Sequence, residues 1–414
     1  MRVAFIVNRF PTLSETFIIN QITGLIDRGH TVDIFADQPR NDPSVHRDVT
    51  EYGLIQRTTY YNRYLVTPKP PVKRLASAVA LVADQVRRRN PAPVAHTLNV
   101  ARFGKEAVSL RMLHQVKPFL AGGPYDLVHA HFGTSGVLGA LLLAIGALRC
   151  PLVTTFYGHD ITSYVRSEGP QVYAELFHRG TRFLHISAYL REKLVAIGCP
   201  PEQLELHRIG VDLERFAFAP RTLAPGEPVR LLTTARLVEK KGLEYSIRAV
   251  AQVAARYPGL RYKIVGDGRQ REQLQQLIGA LGASEWIELC GWKSQDEVRQ
   301  LYAEAHLFVL ASVTAANGDE EGQGLVLQEA QAMGLPVVCT RHNGFPEGML
   351  EGESGLLVPE RDVDALAGAI AGLIERPERW PALGRAGRGH VEAHFDNARL
   401  NDNLIDIYQR VIEG

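Results

Sequence analysis

The chain has 414 residues, 45% hydrophobic and 22% charged, with a formal net charge of +1. That balance excludes disordered and fibrous classes, and the length exceeds one ordinary compact core, so two domains of roughly 200 residues each are expected. The charge is uneven: residues 57–117 hold twelve Lys or Arg against two acids, a local +10 that leaves −9 for the rest.

The chain opens with "RVAFIVN", an apolar run of strand length. "TLSETFIINQITGLIDRG" follows with Phe17, Ile18, Ile22, Leu25 and Ile26 at helical spacing. Thr12 and Glu15 are spaced as a capping box, and Gly29 supplies a stop. "TVDIFAD" reads as the next strand, and this βαβ opening predicts a parallel sheet buried on both faces. "MRVAFIV" is too short for a signal peptide, and the apolar stretch 137–148 suits a buried helix, not a membrane span. The alternation continues through "YDLVHAHF", "PLVTTFY" and "RFLHIS", each followed by a helical pattern.

Over residues 216–228 the periodicity stops and Pro, Ala and Gly accumulate, as in a linker. A second series runs through "VRLLTTAR", "RYKIVGDG", "WIELCG", "LFVLAS" and "PVVCT", with helical stretches between. The expected fold is α/β, two doubly wound Rossmann-like units facing each other across a cleft, with ligands beyond the carboxyl ends of the strands. Cys150, Cys199, Cys290 and Cys339 are scattered and form no Cys-x-x-Cys pair, which fits a reducing cytoplasmic compartment.

In "TARLVEKKG", Arg236 directly follows a strand and Lys241 precedes a helix. A planar fork, a point charge and a helix start together suit a diphosphate. Alone, two loop cations more often face solvent. "KIVGDG" places Gly266 and Gly268 between strand and helix, a shape that admits a nucleotide, although a plain tight turn is the commoner explanation. "EGQGLVLQEA" sets Glu321 ahead of a Gly-x-Gly turn and Glu329 inside the next helix. A carboxylate accepts two hydrogen bonds from a vicinal diol, so Glu329 is a candidate for ribose and Glu321 for a sugar beyond the diphosphate. The backbone N–H groups of Gln323, Gly324 and Leu325 would lie between them, and Gly291 closes the "WIELCG" strand. The simpler alternative is two glutamates on a solvated helix start. His129 and His131 alternate at a strand end without a third metal ligand at suitable spacing, so one structural histidine and one near the cleft are expected.

At these residues the chain resembles the retaining glycosyltransferase family 4. "EEGQGLVLQEAQAMGLPVV" resembles its E-x7-E signature, "ARLVEKKGLEYSIRA" its Arg-x4-Lys-Gly loop, and "RIGVDLERF" its interdomain segment. "FPTLSETFI" is similar to bacterial exopolysaccharide enzymes of the colanic-acid type. The resemblance implies a GT-B fold: an acceptor domain over residues 1–218, a donor domain over 219–395 and a returning helix over 396–414. It implies a nucleotide-diphosphate-sugar donor, a glycan or polyprenyl-linked acceptor, and no metal or other cofactor. It assigns Arg236 and Lys241 to the diphosphate, Glu321 to the donor sugar and Glu329 to the ribose. Where the family has T-x-H-G-x-D, "TFYGHD" carries Tyr157 at the His position and His159 two residues later, so either is a candidate for that role. Gln323 stands at the family's usual aromatic. Two rival functions remain at this stage, a nucleotide-sugar 2-epimerase and a non-catalytic nucleotide-sugar-binding subunit. The basic stretch 57–117 suggests peripheral docking on an anionic membrane, with a solvated face as the alternative; no nucleic-acid-reading motif accompanies it.

Overall fold

Along β1 (Arg2–Arg9) successive side chains serve opposite faces, Val3, Phe5 and Val7 entering one buried cluster and Ala4 and Ile6 another. This two-sided burial is what a parallel strand covered by helices requires. The computed structural model describes residues 1–12, 15–40, 46–257 and 259–414. β1 is an inner strand of a seven-stranded sheet with β2 (Thr31–Gln38), β3 (Thr58–Tyr60), β4 (Leu127–His131), β5 (Leu152–Phe156), β6 (Arg182–His185) and β7 (Leu204–Leu206), in the order β3-β2-β1-β4-β5-β6-β7. A second, six-stranded sheet holds β8 (Arg230–Thr234), β9 (Arg261–Val265), β10 (Ile287–Gly291), β11 (Leu307–Leu310), β12 (Val337–Thr340) and β13 (Gly355–Val358), ordered β10-β9-β8-β11-β12-β13. Strands pair in parallel throughout both sheets. The two doubly wound α/β units expected from the periodicity are therefore present. Strand order reverses between β1 and β4 in the first and between β8 and β11 in the second, and the loops leaving those strands border a crevice in each.

The first helix, Thr16–Asp27, buries Ile18, Ile22 and Leu25 of the expected stripe and also Ile19, while Phe17 and Ile26 are half-buried. Its expected capping box does not form. The Thr12 hydroxyl donates to the Arg9 carbonyl (3.2 Å), Glu15 N–H closes a turn onto the Thr12 carbonyl (3.2 Å), and Glu15 becomes the N-cap without a side-chain cap bond. The turn spends the residues that the box would need. The apolar 137–148 stretch belongs largely to the helix Gly133–Ala144, which packs on β4, β5 and the helix Ala174–Arg179. Among the described residues no helix is long and apolar enough to cross a membrane.

The chain passes between the units twice, and the two passes are stitched together. Val211 N–H donates to the Phe395 carbonyl (2.7 Å) and Asn397 N–H to the Val211 carbonyl (3.0 Å). The last helix, Asn397–Glu413, then lies on the first unit, where Leu404, Ile407, Tyr408 and Val411 share a cluster with Val3, Phe5 and Ile22. Leu404 is fully buried at that seam. Leu404→Ala should lower the unfolding free energy of the first unit by about 3 kcal/mol, from lost transfer energy plus a cavity. Urea denaturation followed by circular dichroism checks this; an unchanged midpoint would mean that the helix adds nothing to that core.

Candidate active site

The reversal point of the second sheet gathers the charged residues. Lys241 ends a short 3-10 turn, Glu239–Lys241, in the loop after β8. Glu321 lies in the loop after β11. Their side chains meet, with Nζ of Lys241 2.6 Å from Oε2 of Glu321, and only 9% and 18% of those side chains reach solvent. Burial lowers the Lys241 pKa while Glu321 works against it. For Glu321 burial pushes upward, but Lys241, Lys240 and Arg236 outweigh it and hold the carboxyl at about 2. The Glu321 carboxyl is therefore ionised at neutral pH, and the lysine contact compensates its charge out of water. Arg236 is exposed, and among the described residues its guanidinium has no hydrogen-bond or ion-pair partner although its charge reaches both members of the pair.

Glu329 sits on the helix Leu325–Ala332, within electrostatic reach of Lys241. Its Oε2 accepts from the Tyr302 hydroxyl (3.0 Å), which itself pairs with the Thr234 hydroxyl (2.6 Å). Burial raises the Glu329 pKa to about 7, against the opposing effects of Tyr302 and Lys241. Two carboxyls of one loop-helix segment thus have opposite protonation behaviour, set by whether a cation or only a phenol stands beside them.

The strand-end glycines hold the floor of this site. A Cβ on Gly266 would come 2.0 Å from the Ala235 carbonyl, and one on Gly268 2.4 Å from that of Leu237, so the loops after β8 and β9 touch backbone to backbone. Gly266 N–H donates to the Gly291 carbonyl (2.9 Å), which ties in the end of β10. Gly324 caps the Leu325–Ala332 helix in the left-handed region, with φ +74°. Among the described residues the N–H groups of Gln323, Gly324 and Leu325 meet no acceptor. The Gln323 side chain faces elsewhere than toward this space: its amide donates to the Ile209 carbonyl and accepts from the Ile209 N–H, both at 2.8 Å.

That bond belongs to a line of contacts between the two units. A Cβ on Gly322 would come 2.2 Å from the Tyr157 carbonyl, so the backbones there already touch. Glu320 accepts from the Tyr189 hydroxyl and lies 3.3 Å from Lys193 Nζ, while Glu347 accepts from the Ala188 N–H (2.9 Å). His159 pairs with the Ser163 hydroxyl (2.7 Å) and stands 3.8 Å from Asp319, which also binds Lys240 (3.1 Å). Burial raises the Asp319 pKa, but His159 and Lys240 bring it down to about 2.

Tyr157, one of the two candidates for the family's His role, has its hydroxyl engaged within its own unit. Its hydroxyl is paired with His131 Nδ1 (2.7 Å) and its ring is packed by Phe17 and Phe132. Of Tyr157 and His159, only His159 reaches the opposite unit with its side chain. The expected division between one structural histidine and one at the cleft is not what the structure shows. His129 and His131 are both wholly buried, with ring centroids 4.2 Å apart. His129 binds the Tyr408 hydroxyl (2.5 Å) and that of Thr155 (2.7 Å), and burial drives its pKa well down and that of His131 to about 3. The pair is a neutral core bridge from β4 to the last helix.

Several supporting residues escaped the sequence reading. His342 is fully buried; its Nδ1 meets Glu360, and its Nε2 accepts from the Glu321 N–H (3.1 Å) and Asn343 Nδ2 (2.9 Å). This fixes the tautomer and the placement of Glu321. Asp160 accepts from the N–H groups of Gly133 (2.9 Å), Tyr157 (3.1 Å) and Gly158 (2.9 Å), locking the loops after β4 and β5 together; burial raises its pKa, opposed by those bonds. Each link spans residues remote in sequence or uses backbone partners, so no local motif announces it.

Lys241→Ala would leave Glu321 charged and unpaired in a nearly closed space, at a cost of about 3 kcal/mol of stability. The double variant Lys241→Ala/Glu321→Gln should recover most of that loss. Thermal melts of the two check it, and equal melting temperatures would deny that the pair matters to the fold.

Comparison with known proteins places this arrangement in a family. Residues 14–215 match the profile of Glycosyltransferase Family 4 and residues 214–390 that of Glycosyl transferases group 1. The putative colanic acid biosynthesis glycosyltransferase WcaL of Salmonella typhimurium is 37% identical over 418 residues, covering 99% of this chain and 100% of that protein. The amylovoran biosynthesis glycosyltransferase AmsK of Erwinia amylovora is 33% identical over the same shares. Among solved structures, HepE of Anabaena in complex with UDP and glucose superposes with a TM-score of 0.72 at 19% identity, covering 99% of this chain and 100% of that one. Sucrose-phosphate synthase of Thermosynechococcus elongatus also gives 0.72, at 20% identity, covering 100% of this chain and 99% of that one. With both profiles matched in order along a GT-B pair of parallel sheets, and full-length relatives above 30% identity, the chain belongs to the family 4 and group 1 glycosyltransferases.

Proposed function

We propose that this glycosyltransferase takes its sugar from a nucleotide-diphosphate donor and passes it, with retention of anomeric configuration, to a glycan or polyprenyl-linked acceptor in surface polysaccharide assembly. The observation that carries the donor chemistry is the charged group at the β8/β11 reversal point. Among the described residues the Arg236 guanidinium has no partner, and Lys241 has N–H bonds beyond the one aimed at Glu321. The unpaired N–H groups at the start of the Leu325–Ala332 helix add a third source of positive potential. This is a setting for a diphosphate, with Glu321 on the sugar side and Glu329 on the ribose side. Support for the wider role comes from WcaL and AmsK, whose names place them in colanic acid and amylovoran biosynthesis. HepE was solved with UDP and glucose, and more distant relatives are named GDP-mannose-dependent.

In the reaction, the bond from the anomeric carbon to the phosphate oxygen breaks and the acceptor oxygen bonds to that carbon on the same face. The acceptor proton passes to the departing phosphate oxygen. Arg236 and Lys241 stabilise the charge that gathers on the diphosphate, at a few kcal/mol per well-placed donor. Glu321, ionised through its lysine, accepts from donor-sugar hydroxyls and fixes the ring. His159, beside Asp319 at the mouth, is placed to meet the acceptor.

Three outcomes follow. The Lys241→Ala/Glu321→Gln protein, though folded, should turn over at least about a hundredfold more slowly. Incubation of UDP- and GDP-sugars with a lipid-linked acceptor extract, with the product linkage read by NMR, should give the anomer of the donor; an inverted linkage would overturn the mechanism. Nucleotide affinity should weaken as pH falls through about 7, because Glu329 then holds a proton and loses its strength as a diol acceptor. The sign for folding is the reverse: the folded protein holds this proton more tightly than the unfolded chain, so Glu329 costs stability as pH rises from its ordinary 4.5 to about 7. Calorimetric titration with nucleotide between pH 6 and pH 8 checks the affinity arm, and Glu329→Gln should flatten the profile.

A further inference from the structure

The helix Pro71–Arg87 is amphipathic the wrong way round for a surface helix in water. Its buried face carries Ala78, Leu81 and Gln85, while Val72, Leu75, Val79 and Val86 stand outward, 81%, 60%, 60% and 57% exposed. Their spacing of three, four and seven residues places them on one stripe, which Ala76, Ala80 and Ala83, also exposed, complete. Among the described residues sixteen large hydrophobic side chains are exposed, and nine of them fall within residues 64–108. Tyr64, Leu65 and Val108 extend the patch beyond the helix start. Arg74 holds these pieces together, donating to the carbonyls of Pro68, Lys69 and Ser109, and Arg111 stacks over Tyr64 at 5.1 Å.

The charges decide what this stripe fits. Lys73, Arg87, Arg88 and Arg89 flank it, and the one acid of the helix, Asp84, is spent on Arg87 (2.9 Å) and Arg88 (2.7 Å). A nucleic acid would leave the apolar stripe uncovered. A second copy of the chain would bring one +10 segment against another. An anionic bilayer satisfies both features, apolar side chains entering the acyl boundary and cations remaining among the headgroups. We propose that the outward face of the Pro71–Arg87 helix is a docking surface that lies flat in the headgroup layer of an anionic phospholipid membrane, holding the first unit of the enzyme there. This is independent of the donor reading, because none of these residues belongs to the β8/β11 site.

The test uses the full-length protein and sedimentation with phosphatidylcholine vesicles with or without phosphatidylglycerol, at low and high salt. Wild type should sediment with the anionic vesicles only. Val72→Ser/Leu75→Ser/Val79→Ser and, separately, Lys73→Gln/Arg87→Gln/Arg89→Gln should each lower the partition coefficient by at least about tenfold. All six side chains stand in solvent, and unchanged thermal melts and nucleotide binding would show that both variants fold. The loss from the charge variant should shrink at high salt, where screening has already weakened its contribution. The proposal is overturned if wild type stays in the supernatant, if either variant sediments like wild type, or if the serine variant only converts a dimer to a monomer in sedimentation velocity without altering vesicle binding.

Discussion

The nearly dry ion pair between Lys241 and Glu321 is the constraint around which the second unit is arranged. Two opposite charges withdrawn from water persist only when each faces the other and the surrounding backbone is fixed. The sheet order meets the first demand by placing β11 directly beside β8, so that loops far apart in sequence open into the same crevice. The second demand is met by the His342–Glu360 bridge on the Glu321 N–H and by the backbone contacts of Gly266 and Gly268 beneath. A charged pair prepared in this way can exchange partners when an anion arrives, with little rearrangement of the frame.

The first unit serves a different need. Its own reversal point, between β1 and β4, is filled by neutral, buried aromatic and imidazole groups: Phe5, His129, His131 and Tyr157. Low histidine pKa values and full burial fit a rigid support for the returning helix, through His129 and Tyr408, rather than a titrating group. Polar groups that reach the other unit come instead from the loop after β5, which carries His159, and from the helix Ala188–Ala196, which carries Tyr189, Lys193 and the Ala188 N–H.

Strand and helix alternation was legible in the sequence because both sheets are buried on two sides and keep their apolar runs short and regular. Lys241, Glu321 and Glu329 were legible as a group because turn glycines and a helix start flank them. The site's supports were not. Tyr302, His342, Glu360 and Asp160 act through hydrogen bonds, most of them between elements whose adjacency exists only once the sheet order is set. The bond that holds Tyr157 was hidden for the same reason: "TFYGHD" offered it as one of two candidates, and its hydroxyl's partner, His131, arrives from the neighbouring strand. The Thr12–Glu15 box failed more locally, since the turn after β1 already uses the Thr12 hydroxyl.

At Gly322 the peptide planes of the two halves rest on one another with no room for even a methyl group, and a Cβ on Gly344 would likewise come 2.3 Å from the Gly322 carbonyl. The gap between the lobes at this spot is therefore gauged by missing carbon atoms instead of by interlocking side chains. Any larger residue at 322 would act as a shim, prying the jaws apart by its own thickness while leaving each lobe internally intact.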